Sequence, residues 1–187
     1  IGPYCLVKVT SIYAIDSLTY RVSFAAQRTT GLYEVSVGPN ITDIGGTAMD
    51  QDEDGVAGEA IEDVFTASFE IDADGPRVIT SPPDFVTKPY AFVDLTFDEP
   101  IDPNSLSADD VVFTGPAGDI PVTQFVWMND SEVRLSFGTQ SELGSYTLQL
   151  GPDVADLVGN PMDQDDDGLS GEPNEDAFET TITFASP

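Results

Sequence analysis

The chain has 187 residues, 40% of them hydrophobic and 10% aromatic, which is enough apolar material for one large or two small globular domains. Its 34 acidic residues against 6 basic ones give a formal net charge of -28, which excludes nucleic acid and anionic membranes as partners because both require Lys and Arg patches. The lack of histidine excludes Ser-His-Asp and Cys-His catalysis. The sequence also contains no run of about 18 apolar residues, the length that a membrane-spanning helix requires.

The predicted secondary structure consists of short strands. Apolar residues alternate with polar ones in segments such as residues 91–97 and 132–137, and clusters of Gly, Pro, Asn and Asp separate these segments. In chain order the predicted strands lie near residues 4–13, 18–24, 32–37, 64–71, 76–81, 90–97, 110–114, 121–128, 132–137, 145–150 and 177–184. Seven short strands within about 110 residues are typical of an antiparallel β-sandwich of immunoglobulin type, so the predicted fold class is all-β.

An internal repeat divides the chain. Residues 1–74 align without a gap with residues 114–187, and Asp163 lies 113 positions after Asp50. We therefore predict two tandem Ig-like β-sandwiches, a partial repeat in residues 1–74 and a complete one in residues 75–187. The first would lack its first two to three strands, since residues 75–113 have no counterpart. Such a domain exposes an apolar face and strand edges, so we expect upstream residues or a strand from another molecule to complete it.

Both repeats contain an acidic segment with the ligand spacing of a calcium loop. Asp50, Asp52 and Asp54 occupy positions 1, 3 and 5, Gly55 occupies position 6, and Val56 offers its backbone carbonyl at position 7. The second segment repeats this pattern with Asp163, Asp165, Asp167, Gly168 and Leu169. Position 12, which is a bidentate Glu in an EF-hand, is Ile61 or Asn174. The segments are therefore not EF-hands; we expect calcium loops of a different kind, and the alternative is a solvated acidic turn, since Asp and Gly are ordinary turn residues.

Each loop has three candidates for the carboxylate that completes the calcium site at its end, and the sequence does not decide among them. They are Glu59, Glu62 or Asp63 in the first loop and Glu172, Glu175 or Asp176 in the second; we favour Asp63 and Asp176, followed by Glu59 and Glu172. Asp43 and Asp156 would add an oxygen or orient a ligand.

Residues 43–63 and residues 156–176 have acidic residues at the same eight positions, although only 16 of 33 residues are identical between 31–63 and 144–176. Oxygen ligands without His favour Ca²⁺ over Zn²⁺, with Mg²⁺ a weaker alternative, so we expect at least one calcium ion per loop. The predicted metal ligands are Asp50, Asp52, Asp54, Val56, Glu59, Asp63, Asp163, Asp165, Asp167, Leu169, Glu172 and Asp176.

The complete repeat resembles a known family, the bacterial Ig-like domains of the kind first described in S-layer proteins. Residues 93–106 contain Phe97-Asp98-Glu99-Pro100-Ile101-Asp102-Pro103, and residues 156–162 contain Gly159-Asn160-Pro161-Met162, both of which fit segments typical of that family. Residues 1–74 carry only the later half of the pattern. The resemblance implies an extracellular or cell-surface, non-catalytic role as a spacer, adhesin stalk or lattice subunit.

From these features we expect a calcium-stabilised extracellular structural protein, not an enzyme. We expect its partners to be copies of itself in a self-assembling filament or lattice, completed by strand donation between subunits. The alternative is an adhesin stalk or a carbohydrate-binding accessory module of a larger secreted protein. We expect no direct membrane insertion.

Overall fold

The computed structural model describes residues 1–80, 82–87 and 89–185. The chain divides into two compact units, Ile1–Ala73 and Asp74–Pro187. In their described residues both units are built from strands, and the second also contains a single 3₁₀ turn at Ala108–Asp110.

The second unit is a two-layer β-sandwich in its described residues. One sheet has the order β10-β11-β7-β5 and the other has the order β6-β13-β12-β8-β9. All strand pairs are antiparallel except β13 with β6. The strands are β5 (Val78–Thr80), β6 (Phe85–Val86), β7 (Tyr90–Phe97), β8 (Val111–Gly115), β9 (Gly118–Asp119), β10 (Val122–Trp127), β11 (Glu132–Gln140), β12 (Gly144–Leu150) and β13 (Phe178–Phe184).

The core of this sandwich follows from the alternation in the sequence. Successive side chains of a strand point to opposite faces, so every second residue of β7, β11 and β12 enters the space between the sheets. These buried residues are Val93, Leu95, Phe97, Val133, Leu135, Phe137, Tyr146, Leu148 and Leu150. The polar residues between them lie on the outer faces.

The first unit contains two antiparallel hairpins in its described residues. They are formed by β1 (Val9–Ala14) with β2 (Tyr20–Phe24) and by β3 (Gly31–Val37) with β4 (Phe65–Ile71). The hairpins contact each other through Phe24 of β2 and Phe69 of β4, whose ring centroids lie 6.4 Å apart. Phe69 also stacks on Tyr33 of its own hairpin, at 5.7 Å between ring centroids. The bounds of β1, β3 and β4 lie 113 positions before those of β10, β12 and β13.

The predicted fold class, an all-β antiparallel sandwich of Ig type, is confirmed. The tandem arrangement and the incompleteness of the first repeat stay predictions. The strand predicted at residues 4–13 begins later, at Val9, and residues 2–5 form a turn in which the Gly2 N–H donates to the Cys5 carbonyl at 2.8 Å. The two-residue strands β6 and β9 were not predicted, since two residues are too few to show alternation.

Candidate metal centre

The acidic segments form two loops that precede the last strand of each unit. The first acidic loop is defined as residues 50–63 and precedes β4, and the second acidic loop is defined as residues 163–176 and precedes β13. Carboxylate oxygens of Asp50, Asp52 and Asp54 all lie within 4.8 Å of one another, as do those of Asp163, Asp165 and Asp167. The structure therefore brings together the three aspartates that the spacing singles out in each loop.

A tight turn gathers these aspartates. The sixth residue has a positive φ of 91° at Gly55 and 85° at Gly168, a conformation that glycine adopts without a steric cost. Its backbone N–H donates to the first aspartate, at 3.1 Å from Gly55 to Asp50 Oδ2 and at 2.9 Å from Gly168 to Asp163 Oδ2. These bonds hold one oxygen of the first aspartate in place.

The seventh residue is positioned by the fifth. The N–H of Val56 donates to Asp54 Oδ1 at 2.7 Å, and the N–H of Leu169 donates to Asp167 Oδ1 at 2.8 Å. Their backbone carbonyls stay predicted ligands. Glu53 and Asp166, three positions before Val56 and Leu169, also have positive φ angles of 61° and 65°. The two loops thus share one backbone conformation.

The buried aspartate at the end of each loop closes the loop. Asp63 accepts hydrogen bonds from the N–H groups of Gln51 at 2.6 Å and Glu59 at 2.7 Å, one on each carboxylate oxygen. The N–H of Glu59 lowers the pKa of Asp63 against the opposing effect of burial, and the N–H of Gln51 lowers it further. Both oxygens of Asp63 therefore tie the start of the loop to its end.

Asp176 has the same role in the second loop. It accepts from the N–H groups of Gln164 at 3.0 Å and Glu172 at 2.7 Å, and its side chain is fully buried. Asp63 and Asp176 do not belong to the carboxylate groups whose oxygens approach one another among the described residues. Their additional role as metal ligands stays a prediction.

Three carboxylate oxygens in the loops are buried without a hydrogen-bond partner among the described residues. They are Asp50 Oδ1, Glu59 Oε2 and Glu172 Oε2. Glu59 and Glu172 occupy equivalent positions, and the same atom is unpaired in both. A buried carboxylate oxygen without a donor is costly, so an adjacent cation would stabilise each of these groups.

The ionisation of the two glutamates reflects this environment. Desolvation by burial raises the pKa of Glu59, and the charge of Glu62 raises it further. Desolvation raises the pKa of Glu172 in the same way, followed by the charge of Glu175. Carboxylate oxygens of Asp167, Glu172 and Glu175 also lie within 4.8 Å of one another. All of these candidate ligand atoms are carboxylate oxygens, which a nearby positive charge would stabilise. They fit a hard divalent cation.

Glu175 extends the set that we favoured from the sequence. It was one of three candidates for the closing ligand, and the spacing alone could not separate it from Glu172 and Asp176. The distinction depends on which carboxylates already bond backbone N–H groups, and only the folded loop reveals this.

The second loop is anchored to the sandwich by contacts that the sequence did not predict. The side chain of Gln164 pairs with the backbone of β5, since Val78 N–H donates to its Oε1 at 2.9 Å and its Nε2 donates to Val78 O at 3.3 Å. Arg77 makes ion pairs of 2.8 Å with Asp98 and with Asp166. These partners lie between 21 and about 90 positions apart along the chain, so no local motif signals them.

Gly75 completes this anchor. A Cβ atom at this position would lie 1.9 Å from the backbone oxygen of Pro161, so only glycine allows the chain to pass so close. The N–H of Asp163 donates to Pro76 O at 3.3 Å beside it. The start of the second acidic loop is therefore packed against the segment that leads into β5.

Asp156, which we predicted to assist the site, folds the turn that precedes the second loop. Its Oδ1 accepts from the N–H groups of Val158, Gly159 and Asn160 at 2.6–2.8 Å, and the residue is buried. Asp43 is exposed and accepts from the N–H of Thr47 at 2.9 Å. Both aspartates act as local turn caps.

The family model described as Bacterial Ig-like domain matches residues 72–180, which is more than half of the chain. The chain belongs to the bacterial Ig-like domain family. The comparison with curated proteins finds no match.

Membership in the bacterial Ig-like domain family indicates a broad functional class. Domains of this family occur in surface-exposed bacterial proteins and are typically non-enzymatic structural or adhesive modules. Among the described residues, no helix is long and apolar enough to cross a membrane.

Proposed function

We propose that this bacterial Ig-like chain is a calcium-stabilised structural protein of the cell surface. The observation that carries the proposal is the pair of equivalent glutamates, Glu59 and Glu172, each with a buried carboxylate oxygen that has no hydrogen-bond partner among the described residues. The charge of Asp54 acts on Glu59 and the charge of Asp167 acts on Glu172, and each of these two aspartates belongs to a group of three whose carboxylate oxygens converge. A solvated acidic turn does not explain buried unpaired oxygens at the same position twice.

The residues divide into those that hold the ion and those that hold the loop. Asp50, Asp52, Asp54, the Val56 carbonyl and Glu59 would bind calcium in the first loop. Asp163, Asp165, Asp167, the Leu169 carbonyl and Glu172 would bind it in the second, with Glu175 adjacent. Asp63 and Asp176 bridge the two ends of each loop through backbone N–H groups. Bound calcium supplies positive charge that offsets the repulsion among these carboxylates.

Stabilisation follows because the loops are part of the fold. The second loop is bonded to β5 by Gln164 and to the segment before β5 by Asp163. A cation that fixes the loop therefore also fixes one edge of the sandwich. Metal-binding free energy adds to the free energy of unfolding when the unfolded chain offers no site.

The test is thermal unfolding of the purified chain in 2 mM CaCl₂ and in excess EGTA. We expect EGTA to lower Tm by about 10 °C or more, a change that corresponds to a few kcal/mol of lost metal-binding free energy. MgCl₂ at the same concentration is the control and should restore less of the Tm, because Mg²⁺ prefers to keep its waters. Identical melting curves in calcium and EGTA would contradict the proposal.

A finer proposal is that copies of the protein assemble into a filament or lattice. The supporting observation is the first unit, whose hairpins expose large apolar side chains such as Ile12, Tyr20 and Val22 on an open face. Contiguous apolar surface of this kind marks a protein interface more often than a free surface. Strand donation between neighbouring copies would cover it.

A further inference from the structure

The second acidic loop is attached to residues 76–78, where β5 begins. The N–H of Asp163 and the side chain of Gln164 bond to the backbone of this segment. A third contact is made by the guanidinium of Arg77, whose Nη1 lies 2.8 Å from Asp166 Oδ2. The first half of the loop is therefore held by a segment that lies outside the loop.

Arg77 is fixed in place because Asp98 bonds both its backbone and its side chain. The N–H of Arg77 donates to Asp98 Oδ1 at 2.8 Å, and its Nε donates to Asp98 Oδ2 at 2.8 Å. In return, the N–H of Asp98 donates to the Arg77 carbonyl oxygen at 3.0 Å. Asp98 directly follows β7, which has a strand on each side in its sheet. The guanidinium is therefore anchored to the sandwich and reaches the loop from there.

Asp166 is the residue of the loop whose backbone is costly to hold. Its φ of 65° lies in the left-handed region, which is unfavourable for a residue with a Cβ atom. It stands between Asp165 and Asp167, two of the three aspartates whose carboxylate oxygens converge, but it does not belong to that group. Arg77 therefore pairs with the one aspartate among the four in residues 163–167 that the proposed calcium site does not use.

We propose that Arg77 is a positioning residue of the second calcium site. Its ion pair with Asp166 holds the loop in the conformation that binds the ion before the ion arrives. A site that is already shaped loses less conformational freedom on binding and therefore binds more tightly. The inference rests on the calcium proposal above and deepens it, because it assigns the shape of the site to a residue outside the loop.

Charge alone predicts the opposite effect on calcium binding. The guanidinium of Arg77 is a positive charge beside the site and repels a cation, so Arg77→Gln would tighten binding if only charge mattered. A positioning role predicts weaker binding in the same variant. Arg77→Lys keeps the charge, but one ammonium group cannot reproduce the fork that joins Asp98 to Asp166. Positioning therefore predicts that affinity falls from wild type to Arg77→Lys to Arg77→Gln, whereas charge alone makes Arg77→Gln the tightest binder.

The experiment is a titration of the isotope-labelled full chain with buffered free calcium, followed by NMR at the amides of Gly168 and Gly55. Each amide donates to the first aspartate of its own loop, so one sample reports both loops separately. We expect Arg77→Gln to raise the midpoint at Gly168 about tenfold relative to the midpoint at Gly55, and Arg77→Lys to raise it less. In EGTA, Arg77→Gln should also speed hydrogen exchange at Gly168, because the ion pair acts before calcium binds.

Arg134→Gln is the matched control. Arg134 also pairs with an aspartate of the same sheet, Asp94 of β7, and its side chain is 37% exposed against 35% for Arg77. Among the described residues its ion pair does not involve the acidic loop. Arg134→Gln should leave the Gly168 midpoint unchanged even if it lowers Tm. Titrations are made below the Tm of every variant in EGTA, and if Arg77→Gln does not fold, the Arg77→Lys midpoint decides.

Failure of the positioning role and failure of calcium binding give different results. If Gly168 responds to calcium in wild type, the role of Arg77 is overturned by a midpoint that falls or stays the same in its variants. A shift of the same size in Arg134→Gln overturns it as well, because general loss of stability then explains the effect. Each of these results leaves calcium binding in place. If neither amide of the wild type responds to calcium, the calcium proposal is overturned and the role of Arg77 with it.

Discussion

At the scale of single residues, Asp176 and Asp165 of the second loop have opposite effects on the stability of the folded state in the absence of calcium. Asp176 is fully buried and accepts two backbone N–H groups, so its charge is compensated within the fold. Desolvation raises the pKa of Asp165, and the charge of Asp167 raises it further. A carboxyl group whose pKa is raised by folding destabilises the folded state when it is ionised, and this cost disappears as the pH falls through the raised pKa.

This contrast predicts the behaviour of two isosteric variants. In EGTA, Asp176→Asn should lose about 1–3 kcal/mol in the free energy of unfolding, because its amide places a donor against a backbone N–H. Asp165→Asn should be as stable as wild type or slightly more stable in EGTA, but it should lose most of the stabilisation by calcium. Urea unfolding with and without calcium measures both, and Glu179→Gln, an exposed charge on β13, is the control. Equal losses for the two variants in EGTA would contradict this division of roles.

The sequence predicted which carboxylates gather in the loops but not what each one does. The Asp-x-Asp-x-Asp-Gly spacing placed Asp50, Asp52 and Asp54 correctly around one turn, because spacing in a short loop is a local property. The role of Asp63 depends on two backbone N–H groups, at Gln51 and Glu59, that meet it only in the folded loop. Residue types alone do not show that both of its oxygens are already bonded.

At the scale of elements, the second acidic loop acts as a neighbour of strand β5. The Gln164 side chain donates and accepts opposite Val78 in the way that a strand backbone would. We predict that Gln164→Ala lowers the free energy of unfolding by about 1 kcal/mol and speeds hydrogen exchange at Val78. Gln51→Ala is the matched control, because Gln51 is exposed and the described part of the first unit has no strand equivalent to β5.

Calcium should slow hydrogen exchange at the Val78 N–H as well. If the loop transmits metal binding to the sheet edge, EGTA will speed exchange at Val78 in wild type and have a smaller effect in Gln164→Ala. Exchange at Val78 that is the same in Gln164→Ala and in Gln51→Ala would count against this coupling. Alternation in the sequence predicted β5 and β7, whereas the bond from Gln164 to Val78 spans 86 positions and has no local signal.

At the scale of the whole molecule, two opposing forces would act on the proposed self-association. The first unit has an apolar groove lined by residues such as Ile12, Tyr20 and Val22, and burying this groove against another copy would remove apolar surface from water. A net charge of -28 opposes the approach of another copy. Two bound calcium ions would reduce the net charge to -24, and salt screens the remaining repulsion over about 10 Å at 0.1 M. Assembly should therefore increase with calcium and with moderate salt, while the groove decides where the contact forms.

A matched pair of valines tests whether the groove is that contact. Val22 and Val126 are both 39% exposed on strands, but only Val22 lines the groove of the first unit. We predict that Val22→Asp weakens self-association at least about tenfold, because it buries a carboxylate at the interface, whereas Val126→Asp changes it little. Sedimentation velocity over a hundredfold range of concentration, in calcium, measures the effect. Equal weakening by both substitutions would show that added negative charge, and not the groove, controls association, since each variant gains the same charge at the same exposure.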